Sequence, residues 1–362
     1  MRAALRPWAL AGLALAGAGC AEPARKLIQF GWGEPDTAFM RRWIGDMEST
    51  PFDGCVYNVE LEGESRGSFA WRFWGRRGFR AEELASAREN LRATRFRRFR
   101  YNFLRINVTP GDVDWFDDFE PVLQNARLAA GLARDGGSRG VLLDTETYQT
   151  PLFAYPSRPR ARERSFEEYA AQARRRGREL MEALEAGYPG LTVFLTFGYS
   201  APFHLMRRDG TGLAEGGYGL LAPFVDGLVD GVGRGRIVEG YELSYGYRDP
   251  ERFGDAYRTL ESGLLEIVAD PDRYRRVTSF GFGIWMDYDQ RNAGWYPTDV
   301  GRNYFTPEVF EASVRAALEQ SDEYVWVYTE TPRWWSEERG RIALPTAYED
   351  ALWRARQSLE LR

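Results

Sequence analysis

A chain of 362 residues with 44% hydrophobic side chains is long enough for one barrel-sized domain or two smaller ones. Its formal net charge of −5 at pH 7 lacks the basic footprint expected of a nucleic-acid binder. Two cysteines and a single histidine argue against a disulfide framework and a zinc cluster, carboxylate-bound calcium stays open, and no cofactor is expected.

Residues 1 to 20, MRAALRPWALAGLALAGAGC, place Arg2 and Arg6 ahead of an Ala/Leu/Gly stretch too short to cross a bilayer comfortably, followed by small residues. That order predicts a secretory signal and leaves residues 21 to 362 as one domain. Its end, Ala18-Gly19-Cys20, resembles the lipobox of bacterial lipoproteins. The resemblance implies that Cys20 is lipidated and that the exported protein is held on the cell envelope. Gly17 stands where that family usually has an aliphatic residue, and ordinary cleavage near Ala21 would instead give a periplasmic or secreted protein. Cys55, in FDGCVYNV, reads as a small buried hydrophobe.

Short apolar runs then recur through the chain: KLIQFGWG (26 to 33), FDGCVYNV (52 to 59), NFLRINV (102 to 108), GVLLD (140 to 144), LTVFLTFG (191 to 198), IVEGYEL (237 to 243), VTSFGFGIW (277 to 285) and YVWVYTE (324 to 330). Each is followed by a helical pattern, over 36 to 49, 81 to 99, 114 to 134, 165 to 187, 217 to 231, 251 to 268, 306 to 320 and 345 to 360. Asp36, Ser165 with Glu168, and Thr306-Pro307-Glu308 supply helix start signals. Eightfold strand–helix alternation predicts a parallel sheet closed into a (β/α)8 barrel. The open doubly wound alternative needs a phosphate fingerprint after the first strand, where this chain has GWGEPD. Segments near 60 to 80, 148 to 164, 199 to 216 and 286 to 305 become loops on one rim.

Chemistry in such a barrel gathers where the strands end. Those ends present Trp32, Glu34 and Asp36, then Asn58 and Glu60, then Asn107. The fourth carries Asp144, Glu146 and Tyr148, and the fifth Tyr199 and His204. The last three carry Glu242, Tyr245 and Tyr247, then Trp285 and Asp287, then Glu330 and Trp334. In GVLLDTETY, strand alternation puts Leu142, Asp144, Glu146 and Tyr148 on one face and Val141, Leu143 and Thr145 on the other. Two carboxyls at the end of a buried strand are held by partners or set at different proton affinities for acid and base work. Many of the 12 Trp, 19 Tyr and 22 Phe fall in polar, Gly-rich loops, where flat rings suit sugar faces.

Glycosidic hydrolysis needs one carboxyl to protonate the leaving oxygen and a second to attack or to activate water. The expectation is Glu146 as general acid and Glu242 as nucleophile or base, with Asp144 orienting Glu146 and Glu330 holding a sugar hydroxyl or replacing Glu242. Each has a structural alternative. Glu242 could pair with Arg248 and Glu330 with Arg333, Asp36 could only cap the first helix, and Glu34 could fix the first loop. His204 could be a hydrogen-bonded loop residue, and Trp71, Trp74, Trp334 and Trp335 could be core lids. The arginine runs near 92 to 100 and at 174 to 178 read as solvated helix faces.

With this rim assembled, the chain resembles the glycoside hydrolases built on (β/α) barrels, and GWGEPDTAFMRRWIGDMESTPFDG with GVLLDTETY is similar to a group of exported glycosidase-like proteins. Asp144-Thr145-Glu146 matches the end of the DxDxE motif of the chitinase-type family, in which the Glu is the acid, but Leu142 replaces the earlier Asp. Thr145 stands where the large retaining clan has Asn before its Glu. A template with its nucleophile on strand four and acid on strand six would make Asp144 the nucleophile and Glu242 the acid. The resemblance implies an exported enzyme acting on a poly- or oligosaccharide. A carbohydrate-binding surface lipoprotein without turnover, and a barrel hydrolase holding a metal on its rim acids, are the competing readings.

Overall fold

The computed structural model describes residues 25–64, 67–289 and 294–360. The strands are β1 (Lys26–Gly31), β2 (Gly54–Tyr57), β3 (Phe103–Asn107), β4 (Gly140–Asp144), β5 (Thr192–Leu195), β6 (Arg236–Glu239), β7 (Thr278–Phe280), β8 (Phe282–Trp285) and β9 (Tyr324–Thr329). They pair in the order β7-β6-β5-β4-β3-β2-β1-β9-β8, and every pair is parallel. Only Gly281 separates β7 from β8, so the two are halves of one barrel strand, the first paired with β6 and the second with β9. The sheet therefore closes on itself as the (β/α)8 barrel that the alternation predicts.

The helices are α1 (Thr37–Met47), α2 (Ser68–Arg72), α3 (Ala85–Ala93), α4 (Glu120–Asp135), α5 (Phe166–Gly187), α6 (Ser200–Asp209), α7 (Leu221–Gly231), α8 (Glu251–Glu261), α9 (Pro271–Val277), α10 (Pro307–Gln320) and α11 (Thr346–Glu360). The predicted caps form. Asp36 accepts from Phe39 N at 2.8 Å, and Ser165 and Glu168 close a reciprocal capping box. Several predicted helices are shorter than the pattern suggested, and α2, α6 and α9 lie where loops or helix tails were expected. The helix expected over 81 to 99 ends at Ala93, because Thr94 turns extended. Arg95 to Arg100 thus leave the helix for the segment that enters β3. The other run does lie on a helix, where Arg174 pairs with Asp230 and Arg175 with Glu179.

Strand alternation builds two cores. Leu104, Ile106, Val141, Leu143 and Val193 face the helix layer, while Ile28, Phe30, Val56, Phe103, Leu142, Phe194, Val238 and Trp326 fill the barrel. Gly283 admits the largest of these rings. A Cβ there would lie 2.7 Å from the Trp326 ring, whose Nε1 donates to the Gly240 carbonyl at 2.8 Å. Cys55 is a buried free thiol, and Cys20 with the expected signal segment lies outside the described residues.

Candidate active site

The barrel's inward alternation places Phe103, Arg105 and Asn107 of β3 in register with Gly140, Leu142 and Asp144 of β4. Arg105 is thus a cation raised from an apolar floor into a ring of acids. Its Nη1 lies 2.6 Å from Glu34, its Nη2 2.9 Å from Asp144, and its Nε donates to Asn107 Oδ1 at 3.0 Å. Burial pulls the guanidinium toward neutrality, yet the Glu34 and Asp144 charges outweigh it and raise its pKa. The guanidinium also sits over the rings of Phe30 and Trp71, each 5.4 Å away.

Beyond Asp144 the chain keeps alternating although the strand ladder has ended. Thr145 points away and donates to the Phe197 carbonyl at 2.6 Å, which leaves Glu146 on the same side as Asp144. The Glu146 N–H donates to Asp144 Oδ1 at 3.0 Å, and the Tyr148 hydroxyl lies 2.7 Å from Glu146 and 3.1 Å from Asp144. Burial raises the Glu146 pKa, the Tyr148 hydrogen bond opposes that rise, the Asp144 charge adds to it and Arg105 opposes it.

Glu242 arrives by a different route. The predicted strand IVEGYEL stops at Glu239, and Tyr241 adopts a left-handed conformation with φ of 44°. That turn swings Glu242, at the start of a short 3-10 turn, into the pocket. The strand expected over 237 to 243 therefore ends short of Glu242, and Ser244 is buried against the Tyr241 and Gly283 carbonyls. No side-chain hydrogen bond or ion pair engages the Glu242 carboxyl among the described residues. Burial, with the charges of Asp144 and Glu146, pushes its pKa well above the usual carboxylate range despite Arg105.

These groups line a cavity of about 510 Å³ at the strand C-terminal end, with Trp32, Asn58, Trp71, Tyr148, Tyr245, Trp285, Tyr328 and Glu330 among its walls. A second cavity of about 570 Å³, walled by Phe197, His204, Tyr218, Tyr241, Tyr247 and Tyr288, adjoins it. Glu146, Glu242 and Tyr245 line both, so the two carboxyls stand at the junction. Glu330 accepts from the Tyr328 hydroxyl at 3.2 Å, and burial raises its pKa.

Several other expected site residues have structural partners. Asp36 caps α1, and Tyr199 is buried with its hydroxyl 2.6 Å from Asp226, so β5 reaches the pocket through Thr196 instead. Trp334 is 1% exposed and packs edge-on to Phe52 at 4.8 Å, which makes it core. Asp287 holds the end of β9 by accepting from the Glu330 and Thr331 N–H groups. Asn107 lies beneath the cavity and orients Arg105. His204 lines only the second cavity, where its Nε2 lies 3.0 Å from the Tyr241 hydroxyl and burial lowers its pKa. The sequence reading missed Arg105, whose signal was a lone charge at an inward position of the apolar run NFLRINV. Among the described residues no group of three or more His, Cys, Asp or Glu is arranged to hold a metal ion.

Fold and rim together define a parallel (β/α)8 barrel with an acid-lined pocket at its C-terminal end. No family model and no curated relative matches the chain. Solved structures similar to it include GH5_18 from Streptomyces cattleya in complex with GlcNAc, 13% identical over 92% of this chain and 81% of that chain, with a TM-score of 0.49. A GH5-4 broad specificity endoglucanase from Bacteroides salanitronis is 12% identical over 92% of this chain and 93% of its own, with a TM-score of 0.45. A beta-mannanase from the blue mussel Mytilus edulis is 12% identical over 93% and 92%, with a TM-score of 0.44.

Proposed function

We propose that the protein is a glycoside hydrolase that cleaves a poly- or oligosaccharide at the junction of the two cavities. The observation that carries this reading is the placement of Glu146 and Glu242 between two sugar-sized, aromatic-walled spaces, with unequal environments. Glu242 has no cation or donor bonded to its carboxyl among the described residues, and burial raises its pKa, which favours the protonated form that delivers a proton to the leaving glycosidic oxygen. Burial raises the Glu146 pKa as well, but the hydrogen bond from Tyr148 and the charge of Arg105 oppose that rise, which suits Glu146 to act ionised as nucleophile or base. This exchanges the roles expected from the sequence. Asp144 is engaged by Arg105, the Glu146 N–H and Tyr148, so it positions the others and does not attack.

Export, with Cys20 as the lipidated residue, belongs to the same proposal. The test is turnover of a polysaccharide panel by the purified protein, with Glu146→Gln and Glu242→Gln beside it. Loss of turnover in both variants with retained sugar binding supports the reading. Near-normal turnover in both would sink it, and sugar binding without turnover by the parent protein would favour the non-catalytic alternative.

A further inference from the structure

Five exposed arginines that serve neither the pocket nor the core lie at the opposite end of the barrel, while Arg162, Arg248 and Arg302 stand exposed on the loops of the pocket end. Parallel strands place all their N-terminal ends on one face, together with the C-terminal ends of the helices. Arg95, Arg97 and Arg100 precede β3, Arg234 precedes β6 and Arg276 precedes β7. All five are exposed, and none of their guanidinium groups has a carboxylate partner among the described residues. Several acids of that face are already engaged, Glu185 among them through the backbone N–H groups of Gly233, Arg234 and Gly235. Asp135 pairs with Arg88 and Arg92, Glu323 with Arg236, and Asp53 with Arg356, while Glu48 accepts the backbone N–H groups of Arg97, Arg98 and Phe99. A chain of net charge −5 thus carries, at this end, five exposed guanidinium groups that meet no carboxylate among the described residues.

We propose that this face docks on an anionic phospholipid surface and holds the acid-lined rim away from it. The arginines are spread around the barrel end on several separate segments, a layout that matches a plane of charge, and both cavities described above open at the other end. The chain also enters β1 from this face. Cys20 lies only five residues ahead of Arg25, a stretch that reaches at most about 18 Å. Each arginine near an anionic leaflet adds on the order of five-fold to partitioning, and that attraction fades within a screening length. The inference stands whether or not the pocket hydrolyses glycosides.

The test is sedimentation of the full chain with vesicles of phosphatidylcholine alone and of phosphatidylcholine mixed with phosphatidylglycerol, at low and high ionic strength. Unmodified protein is expected to partition at least about ten-fold more strongly onto the mixed vesicles at low salt, and to lose that preference at high salt. A variant carrying Arg95→Glu, Arg97→Glu, Arg100→Glu, Arg234→Glu and Arg276→Glu loses it, and the matching five Arg→Lys changes keep it. Every arm carries the same N-terminal residues, so these cannot create the difference. Equal partitioning on both vesicle types, or a preference that survives the Glu changes, overturns the proposal. Tighter binding of the unmodified chain to duplex DNA than to the mixed vesicles overturns it in favour of a soluble polyanion.

Discussion

Two walls of one pocket handle charge in opposite ways. On the β1, β3 and β4 side, Arg105 ties Glu34 to Asp144, and Asp144 in turn receives the Glu146 N–H, so each buried charge meets an opposite charge or a donor. On the β6 and β8 side, Glu242 stands among Tyr245, Trp285 and Tyr328 with no hydrogen bond or ion pair on its carboxyl among the described residues, and only the charge of Arg105 favours its ionised form. A wall of bonded charges and an acid without a bonded partner together set two carboxyls of one cavity at different proton affinities, which is the condition for acid and base to coexist at one pH.

The largest effect expected from breaking this contrast is on turnover. Glu242→Gln should lower kcat on a cleaved glycan by roughly 10²- to 10⁴-fold with little change in KM, as removal of a general acid does. Its stability should move the other way. A folded pKa above the unfolded one contributes stability that is present below the ordinary carboxylate range and lost as pH rises through the folded value. Thermal melts should therefore show the Gln variant gaining over the parent at alkaline pH and showing no such gain in acid.

Removing the cation of the other wall comes next. Arg105→Leu leaves Glu34 and Asp144 buried without their partner and should cost about 3–5 kcal/mol in denaturant unfolding. Arg105→Lys should recover part of that loss, because it restores charge without the fork geometry. Two tryptophans sharpen the distinction between core and rim. Trp334→Ala should cost roughly 3–5 kcal/mol of stability, whereas Trp32→Ala, at a ring 73% exposed beside the cavity, should raise KM with Tm almost unchanged.

The smallest effect is a shift in the pH profile. Tyr148→Phe removes the hydrogen bond that favours ionised Glu146, so the acid limb of kcat/KM should move to higher pH. An unmoved limb would mean that Glu146 is not the group that must be ionised.

Eight apolar runs, their spacing and their helix start signals determined the barrel, because strand and helix periodicities are local properties of the chain. The faces of Asp144, Glu146 and Thr145 were legible for the same reason. Local pattern could not place Glu242, which depends on a left-handed turn at Tyr241, nor tell that Trp334 packs on Phe52 while Trp32 stays in water. It also hid Arg105 among its apolar neighbours, and net charge averaged away the basic end of an acidic molecule. Those outcomes were decided only in three dimensions, because the energy of a buried charge or ring depends on which distant segments surround it.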